Sequence, residues 1–540
     1  MGLSKYFFKN SIFYLLSILV FDLSCGSKDN KPEFGTSVLK NASLQTPTSL
    51  QFGLDGRLYV AQQNGIIKIF TIKKNAPNDY TVASTEVIDL IHRMPNHNDY
   101  GELDTSIKGR QVTGILVKGT ASNPVIYVTS SDSRIGGGPH GDLNLDTNSG
   151  IISELKWDGN SWVKVDLVRG FPRSEEDHSI NGMQLDEKTN TLYVSVGANT
   201  NAGSPSAYMG YTNDYALSAA IFAVNLSQID SMPLHGAGDS AYKYDLPTLD
   251  DPTRPNTFNG KDVNDPFGGN DGLNQAKLTT DGPVKIYATG LRNAYDVLIT
   301  SDRKMYTIDN GPNTPWGGYP ENEGTAGVTN NYLPEEPGST KPTATEDTAY
   351  ALDGLEFIGD IDTYQAGSYY GGHPNNIRAN PTAAGLYTHD GSKGVWRNGS
   401  DTSYPLPKDW PPVFQANPVE GDYQAAGIND KSLVTFFYST NGLAEYTASN
   451  FNSTMKGALL ATNFDNGNIY KIDLSGDGNK IMNAINGKNK YMDEKPFASN
   501  IGIYPLDITA QGDTDIFPGT IWVAGYASSN IIILEPKDAF

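Results

Sequence analysis

The stretch LQFGLDGRLYV at residues 50–60, continued by GIIKIF at residues 65–70, decides the fold of this chain. Apolar and polar residues alternate on both sides of Asp55-Gly56, and an Asp-Gly pair at such a place is typical of a tight hairpin turn. The pattern predicts two short antiparallel strands and a third strand directly after them. One such hairpin buries too little apolar surface to be stable by itself, so it needs partners of the same kind.

The same unit recurs from one end of the chain to the other. Further copies begin near Ile115, Met183, Tyr295, Tyr446 and Pro505. Repetition lets sheet pack against sheet around a common axis, which is how a β-propeller is built. The sequence therefore predicts an all-β fold, a six-bladed β-propeller that occupies residues 45–540 and carries long loop insertions on one face. Seven blades, or two stacked β-sandwiches, are the alternatives that this pattern leaves open.

The composition is that of a turn-rich globular protein. The 540 residues include 56 glycines, 31 prolines and 30 tyrosines, and 38% of them are hydrophobic, which is enough for a large core. The formal net charge of −21 excludes nucleic acid as a partner, because phosphate binding requires clustered lysines and arginines. A solvated acidic surface is what this charge predicts instead.

The first residues are typical of an export signal. Lys5 and Lys9 precede an apolar run at residues 12–20, and the only cysteine of the chain, Cys25, follows this run. The run is too short to span a membrane permanently. A single cysteine also rules out a disulfide framework within the chain.

A lone cysteine directly after an export signal is typical of the acylation site of a bacterial lipoprotein, although Asp22 stands where such signals prefer an apolar residue. We therefore predict a signal peptide with its anchor cysteine, Cys25, in residues 1–25, and a linker in residues 26–44. The expected location is the cell envelope, at the periplasmic or cell surface, with a lipid anchor in the membrane. An ordinary cleaved signal with an incidental cysteine is the alternative.

Long polar stretches rich in Gly, Pro, Asn and Asp separate the repeated units. They cover residues 198–215, 230–283, 312–350 and 374–432. Long ordered loops in compact domains are usually functional, and a propeller gathers them on one face. Trp316, Tyr319, Trp396 and Trp410 lie in these loops. Such aromatic side chains suit stacking against sugar rings, and local loop packing is the other interpretation.

Four motifs follow one another along these stretches. They are SEEDH at 174–178 with GMQL at 182–185, GLRNAYD at 290–296, DNGPN at 309–313, and GDID at 359–362 with YYGGHP at 369–374. In this order they resemble the glucose/sorbosone dehydrogenase family, whose best-known members are soluble sugar dehydrogenases dependent on pyrroloquinoline quinone (PQQ). The resemblance covers about residues 45 to 535. It implies a six-bladed propeller with calcium and PQQ on its axis.

The resemblance assigns roles to four side chains. His178 falls where the family places its general base, and an imidazole accepts a proton readily at neutral pH. Asp177 would bond a sugar hydroxyl. Arg292 and Asn293 match a pair that resembles a quinone clamp, since a guanidinium grips a carboxylate bidentately. The structural alternatives are a turn-capping histidine for His178 and a blade-to-blade hydrogen bond for the pair.

Calcium ligands are implied in the same way. The carbonyl oxygens of Gly311 and Pro312 match those that hold the calcium next to the cofactor, and calcium prefers six to eight oxygen ligands. A carboxylate such as Asp360 would suit a second, structural calcium.

The chain departs from the family at four places. Asp465 or Asn466 replaces a lysine, residues 500–504 contain no cation, Tyr295 replaces a glutamine, and Ala198 stands where an acid would orient the histidine. PQQ carries three carboxylates, and each lost charge-assisted hydrogen bond forfeits about 1.5–3 kcal/mol. The departures weaken the expectation of PQQ more than that of the fold.

The expected function is that of a sugar dehydrogenase-like propeller that oxidises an aldose or oligosaccharide with calcium and PQQ. Two other classes stay open. One is a non-catalytic surface propeller that binds glycans or proteins, and the other is a propeller lyase or hydrolase without a redox cofactor.

Overall fold

The computed structural model describes residues 32–136, 142–251, 254, 273–320, 349–379, 410, 420–437, 439–484, 491–492 and 495–537, and the backbone of 387–389 and 396–398. The export signal and Cys25 lie outside the described residues. No helix in these ranges combines the length and the apolar character that crossing a membrane requires.

Within the described residues the strands form eight sheets, and six of these are arranged as blades. Strand β1 (Phe34–Val38) comes first in the chain, and blade one follows with β2 (Pro47–Phe52), β3 (Leu58–Gln62), β4 (Ile67–Ala76) and β5 (Asp79–Ile88). Blade two contains β6 (Gln111–Gly119), β7 (Pro124–Ser131), β8 (Gly150–Trp157) and β9 (Trp162–Phe171). Blade three begins with β10 (Ile180–Asp186), β11 (Thr191–Val196) and β12 (Ala220–Asn225).

An excursion interrupts blade three. It contains the helix α1 (Leu226–Ser231), β13 (Tyr242–Asp245), which pairs in parallel with β9, and the two-stranded sheet of β14 (Thr248–Asp250) and β15 (Asn274–Ala276). Strand β16 (Val284–Thr289) then completes the blade.

The last three blades follow the same plan. Blade four contains β17 (Ala294–Ile299), β18 (Lys304–Asp309), β19 (Asp353–Asp360) and β22 (Val434–Phe436). The helix α2 (Asn376–Ala379) and the hairpin of β20 (Tyr387–His389) and β21 (Trp396–Asn398) lie between β19 and β22 in the sequence. Blade five contains β23 (Thr440–Glu445), β24 (Leu459–Asn463) and β25 (Asn468–Ile472). Blade six contains β26 (Pro505–Ala510), β27 (Ile521–Gly525), β28 (Asn530–Pro536) and β1.

The ring is closed. The innermost strands β2, β6, β10, β17, β23 and β26 contact one another in turn, and β26 contacts β2. The predicted six-bladed all-β propeller is therefore confirmed. Strand β1 pairs antiparallel with β28, so the segment predicted as a linker over residues 26–44 contains the outer strand of blade six.

Each blade interface has its own apolar core, and the alternation of residues along a strand explains why. In β3, Leu58 and Val60 pack toward blade six, whereas Tyr59 and Ala61 pack toward blade two. Because successive side chains point to opposite faces of a strand, one strand serves two interfaces. A strand with both faces buried needs apolar residues on both faces, and this need explains the apolar repeats in the sequence.

The ends of the innermost strands define the two faces of the ring. We call the loop face the one where these strands begin. The loops from β7 to β8, from β11 to β12 and from β18 to β19 open onto it, as do the turns that lead into β10 and β17. The long loops are thus gathered beside one another, as a propeller with loop insertions on one face requires.

Candidate functional site

His178 lies on the loop face, in the turn between blade two and β10. Its imidazole is 2% exposed, and Nδ1 lies 2.8 Å from the carbonyl oxygen of Ala198. A carbonyl only accepts, so Nδ1 carries the proton and Nε2 keeps its lone pair. Burial and the nearby charge of Arg292 lower the pKa of His178 well below its usual value. The ring is therefore a neutral base, with Nε2 3.8 Å from a carboxylate oxygen of Asp177.

Ala198 contacts His178 and Arg292 with its backbone. Its carbonyl accepts from His178, and its N–H donates to the carbonyl of Arg292 at 2.7 Å. The strand end packs closely here, because a Cβ at Gly197 would lie 2.7 Å from Cβ of His178 and 2.9 Å from Oδ1 of Asn293. The histidine, the arginine and the asparagine are thus held against one strand end.

The Arg292 guanidinium is buried, and it joins two loops. Nε and Nη2 donate to the backbone and side-chain oxygens of Asn201 at 2.9 and 2.8 Å, and Nη1 donates to the carbonyl of Asn310 at 3.4 Å. The ring of Trp316 lies 5.8 Å from its central carbon. Burial lowers the pKa of Arg292, although nearby carboxylates oppose the shift. Among the described residues, its hydrogen bonds go to neutral oxygens.

Asn293 takes part in a blade-to-blade network. Its Oδ1 accepts from Nδ2 of Asn181 in blade three at 3.0 Å. The backbone N–H groups of Arg292 and Asn293 donate to the two carboxylate oxygens of Asp309 at 2.8 and 2.7 Å. Burial nevertheless raises the pKa of Asp309 to about 6. The structure thus shows the blade-to-blade bond that was the alternative interpretation of this pair.

Gly311 and Pro312 line a small cavity of about 20 Å³. The N–H of Gly311 donates to the buried Asp353 at 3.1 Å, and the carbonyl of Pro312 accepts from Ala351 at 3.3 Å. The remaining walls carry mostly polar groups: Arg292, Asp309, Glu356, His373, Tyr423 and Asp430. Burial and the neighbouring carboxyl of Asp430 raise the pKa of Glu356 well above its usual value. A cavity of this size holds one water molecule or one ion.

Asp360 lies elsewhere. It pairs with Lys304 at the start of β18, whereas Asp309 and Gly311 follow the other end of that strand. Its carboxylate accepts from the backbone of Asp362 at 2.9 Å, which is a local turn contact. The structure therefore does not bring Asp360 together with Gly311 and Pro312.

Two further polar residues of the site, Asp214 and His373, were not predicted from the sequence. Asp214 accepts a 2.8 Å hydrogen bond from Nε2 of His373, and both side chains are buried. Burial would raise the pKa of Asp214, but His373 and the donors Thr200 and Asn199 outweigh it and lower the pKa. His373 belongs to the motif YYGGHP, and Asp214 to the polar stretch 198–215, so both stood in regions already marked by sequence.

The loop aromatics divide into two groups. Trp316 stacks on Tyr208, with ring centroids 6.4 Å apart and planes inclined by 17°. Tyr319 packs on Tyr423 at 4.7 Å, and Trp410 belongs to the core between blades two and three. The side chain of Trp396 lies outside the described residues. Among the described loop aromatics, Trp316 therefore lies against Arg292, and Tyr319 contacts the cavity wall through Tyr423.

A second aromatic cluster belongs to blades five and six. Phe464 stacks on Tyr504 at 4.7 Å, and Tyr504 is 41% exposed. Tyr526 packs against Phe464 at 5.8 Å, and its hydroxyl donates to Gln63 at 2.6 Å. The cluster lies on the loop face, because Phe464 follows the end of β24 and Tyr504 precedes the start of β26.

An acidic cluster on the loop face already has a cation. Asp99, Asp142 and Glu175 offer oxygens within 4.8 Å of one another, a spacing that a metal ion would suit. Nη2 of Arg254 lies 2.8, 3.3 and 3.7 Å from these three carboxylates. The guanidinium neutralises part of the cluster and occupies the place where an ion would sit.

Fold and site together define a class: a six-bladed propeller with a buried histidine base on its loop face. No family model matches the chain, and no curated protein matches it. Among solved structures, a calcium structure of the Trichoderma reesei Carbohydrate-Active Enzymes Family AA12 is 12% identical, with 93% of this chain and 95% of that chain covered and a TM-score of 0.46.

Two other solved structures are similar at the same level. The PQQ domain of pyranose dehydrogenase from Coprinopsis cinerea, in its holo form, is 13% identical over 94% of this chain and 98% of that one, with a TM-score of 0.44. The soluble aldose sugar dehydrogenase from Escherichia coli, in its apo form, is 11% identical over 94% and 100%, with a TM-score of 0.45.

Proposed function

We propose that the chain is a cell-envelope protein of the sugar dehydrogenase type, whose loop face binds an aldose or an oligosaccharide. His178 would take the proton from a sugar hydroxyl. One observation supports this most: Nδ1 of His178 is fixed by Ala198 at 2.8 Å, which leaves Nε2 as the basic atom. A positioned general base contributes about 10²–10⁴-fold to a proton transfer.

The surroundings of His178 suit a sugar. The side chain of Asp177 is 44% exposed and offers a carboxylate for hydroxyl groups. Two stacked aromatic pairs, Tyr208 with Trp316 and Phe464 with Tyr504, supply flat apolar surfaces. Sugars present both kinds of surface, hydroxyl edges and apolar faces.

Calcium fits the cavity beside Gly311 and Pro312. Asp309, Glu356, Gly311 and Pro312 line this space, and calcium prefers carboxylate and carbonyl oxygens as ligands. Burial and the neighbouring carboxyl of Asp430 raise the pKa of Glu356, because a second negative charge in this space is unfavourable. Bound calcium would neutralise these carboxylates and polarise a ligand oxygen. Asp309, Glu356 and the two carbonyls are the residues that would hold it.

PQQ does not fit the described residues in the same way. The guanidinium groups whose charges act on His178 belong to Arg173 and Arg292, and both are buried. They donate to backbone and amide oxygens of the surrounding loops. A ligand with three carboxylates needs several cations that are free to turn toward it.

This mismatch favours a second candidate function, a glycan-binding propeller that does not oxidise its ligand. Such a protein needs the aromatic surfaces and Asp177, and it does not need a hydride acceptor. His178 would then donate or accept a hydrogen bond and leave the sugar chemically unchanged.

One set of measurements separates these functions. Calcium and PQQ are added to the metal-free protein, quinone binding is followed by absorbance, and dye reduction is measured with a panel of sugars. Calorimetry measures sugar binding in parallel. Dye reduction that requires sugar, quinone and calcium supports the dehydrogenase. Sugar binding without quinone binding at tens of micromolar supports the glycan-binding propeller, and absence of both results overturns the proposal.

The location is part of the proposal. A lipid on Cys25 would anchor the mature protein to the membrane, and the propeller would follow after a short segment that leads into β1. This arrangement would present the loop face to sugars of the cell envelope or of the surroundings.

A further inference from the structure

The peptide group between Ala198 and Asn199 is held at both ends by side chains. Its carbonyl accepts from Nδ1 of His178 at 2.8 Å, and its N–H donates to Oδ1 of Asp214 at 2.7 Å. The C=O and the N–H of a trans peptide point in opposite directions. The peptide therefore lies between the carboxylate and the imidazole in one continuous chain of hydrogen bonds.

Asp214 is built to stay in place as an anion. Its oxygens accept from the backbone of Asn199, from Ser218 at 2.9 Å, from His373 at 2.8 Å and from the hydroxyl of Thr200. The carboxylate is 3% exposed. With every direction occupied by a donor, the charge cannot turn toward another partner, and the pKa of Asp214 is held below its usual value.

We propose that Asp214 is a positioning residue that orients His178 through the Ala198–Asn199 peptide. A carboxylate that accepts from a peptide N–H polarises the peptide and makes its carbonyl a stronger acceptor. The stronger acceptor holds the proton on Nδ1 and keeps Nε2 of His178 free as the base. The chain thus replaces a direct contact between an acid and the histidine by a contact through one peptide group.

Asp214 is the charged residue that contacts the peptide group after Ala198, whereas the peptide before Ala198 bonds to a neutral carbonyl. The N–H of Ala198 donates to the carbonyl of Arg292, which fixes position but adds no negative charge. Nε2 of His178 lies 3.8 Å from Asp177, too far for a hydrogen bond. Asp177 therefore cannot select the tautomer by such a bond, and the peptide relay can.

The catalytic meaning of this relay rests on the proposed function, but its effect on the ring does not. The test uses the whole mature protein labelled with ¹⁵N-histidine. The chain has 7 histidines, so a His178→Gln protein identifies the His178 signals by their disappearance. Nitrogen chemical shifts report which ring nitrogen carries the proton, and no turnover is required.

We expect the wild-type ring to carry its proton on Nδ1. The new amide side chain in Asp214→Asn would still offer an oxygen to the Asn199 N–H but would lack the negative charge. In this variant we therefore expect the ratio of the two tautomers to move toward Nε2–H by up to about tenfold, as a charge-assisted hydrogen bond becomes a neutral one. Asp507→Asn is the matched control, since it also neutralises a buried carboxylate that accepts backbone N–H groups, and it should leave the His178 signals unchanged.

A folded Asp214→Asn protein with unchanged His178 shifts would overturn the relay. If that variant does not fold, the wild-type spectrum decides. A ring protonated on Nε2 contradicts the proposal, and a slowly exchanging Nδ1 proton supports it. Failure of sugar oxidation with an intact relay would count against the proposed function alone.

Discussion

Ala198 bridges His178 and Arg292, two residues from different turns of the loop face. Its N–H donates to the carbonyl of Arg292 at 2.7 Å, and its carbonyl accepts from Nδ1 of His178 at 2.8 Å. The two side chains are separated by more than one hundred positions in the sequence, and closure of the ring is what places them at the same strand end. Two side chains that are far apart in the sequence are therefore held against the same strand end on the loop face.

His178→Gln should separate catalysis from binding. Glutamine keeps a polar side chain in the pocket but supplies no base, so sugar-dependent dye reduction should fall by about 10²–10⁴-fold. The sugar dissociation constant should change by less than about threefold, because Asp177 and the aromatic surfaces are untouched. His235→Gln, an exposed histidine outside the site, is the control. Equal losses of affinity and turnover would show that His178 only binds.

Local alternation made the blades predictable. In β3 the residues of one strand divide between two cores, so the apolar and turn residues repeat in a way that the sequence displays. The sequence pattern does not show that a strand near the start of the chain pairs with the last strand. Phe34–Val38 joins β28 because blade six lacks a strand, and this depends on the whole ring. The sequence also predicts the start of blade five too late, near Tyr446, whereas β23 ends at Glu445.

The site was predictable in part. His178, Arg292, Asn293, Gly311 and Pro312 were expected to converge, and the structure brings them together on the loop face. The hydrogen-bond partner of a buried carboxylate is harder to predict from the sequence. Asp214 and His373 meet only because two loop insertions fold back over the same blade interface, and no spacing in the sequence encodes that contact.

The closing strand can be tested by Phe34→Ala. The ring of Phe34 packs against Tyr446, Phe451 and Phe497 with centroids 6.3, 5.2 and 5.3 Å away. Its removal should lower the free energy of unfolding by about 2 kcal/mol, measured by urea denaturation. Val38→Ala in the same strand should change it by less than about 0.5 kcal/mol, because that side chain is 45% exposed. Equal effects would mean that β1 is not anchored by Phe34.

Calcium binding should depend on Glu356. If calcium neutralises the carboxylates of the small cavity, it should raise the melting temperature of the wild-type protein. Glu356→Gln removes one of these charges and should weaken calcium affinity by about tenfold or more. Asp158→Asn, in an exposed hairpin turn, should bind calcium like the wild type. Calcium stabilisation that survives Glu356→Gln would place the ion elsewhere.

The anchor can be tested by Cys25→Ala. Without a thiol no lipid can be attached, so the protein should move from the membrane fraction to the soluble fraction. Fractionation followed by immunoblotting measures the shift, and Ser24→Ala is the neighbouring control. A Cys25→Ala protein that still sediments with membranes would contradict a lipid anchor at this residue.

Asp507 should make folding stability depend on pH. It lies in the innermost strand of blade six and accepts from the backbone of Leu50 in blade one at 2.8 Å. Burial raises its pKa from 3.8 to about 6, against the hydrogen bonds that lower it. The folded state therefore binds this proton more tightly than the unfolded chain does. The resulting stabilisation is complete below about pH 4 and is lost as the pH rises through 6.

Asp296, a second carboxyl near Asp507, also has a raised pKa, because it is buried and because the charge of Asp507 contributes to that rise. Asparagine is neutral at every pH, so Asp507→Asn should lack this part of the pH dependence, while Asp158→Asn should keep it. Urea unfolding at intervals between pH 4 and pH 7 measures the difference between variant and wild type. Parallel stability curves for Asp507→Asn and the wild type would contradict the prediction. They would mean that Asp507 is ionised in the folded ring even at pH 4, because its hydrogen bonds to the neighbouring blade offset its burial.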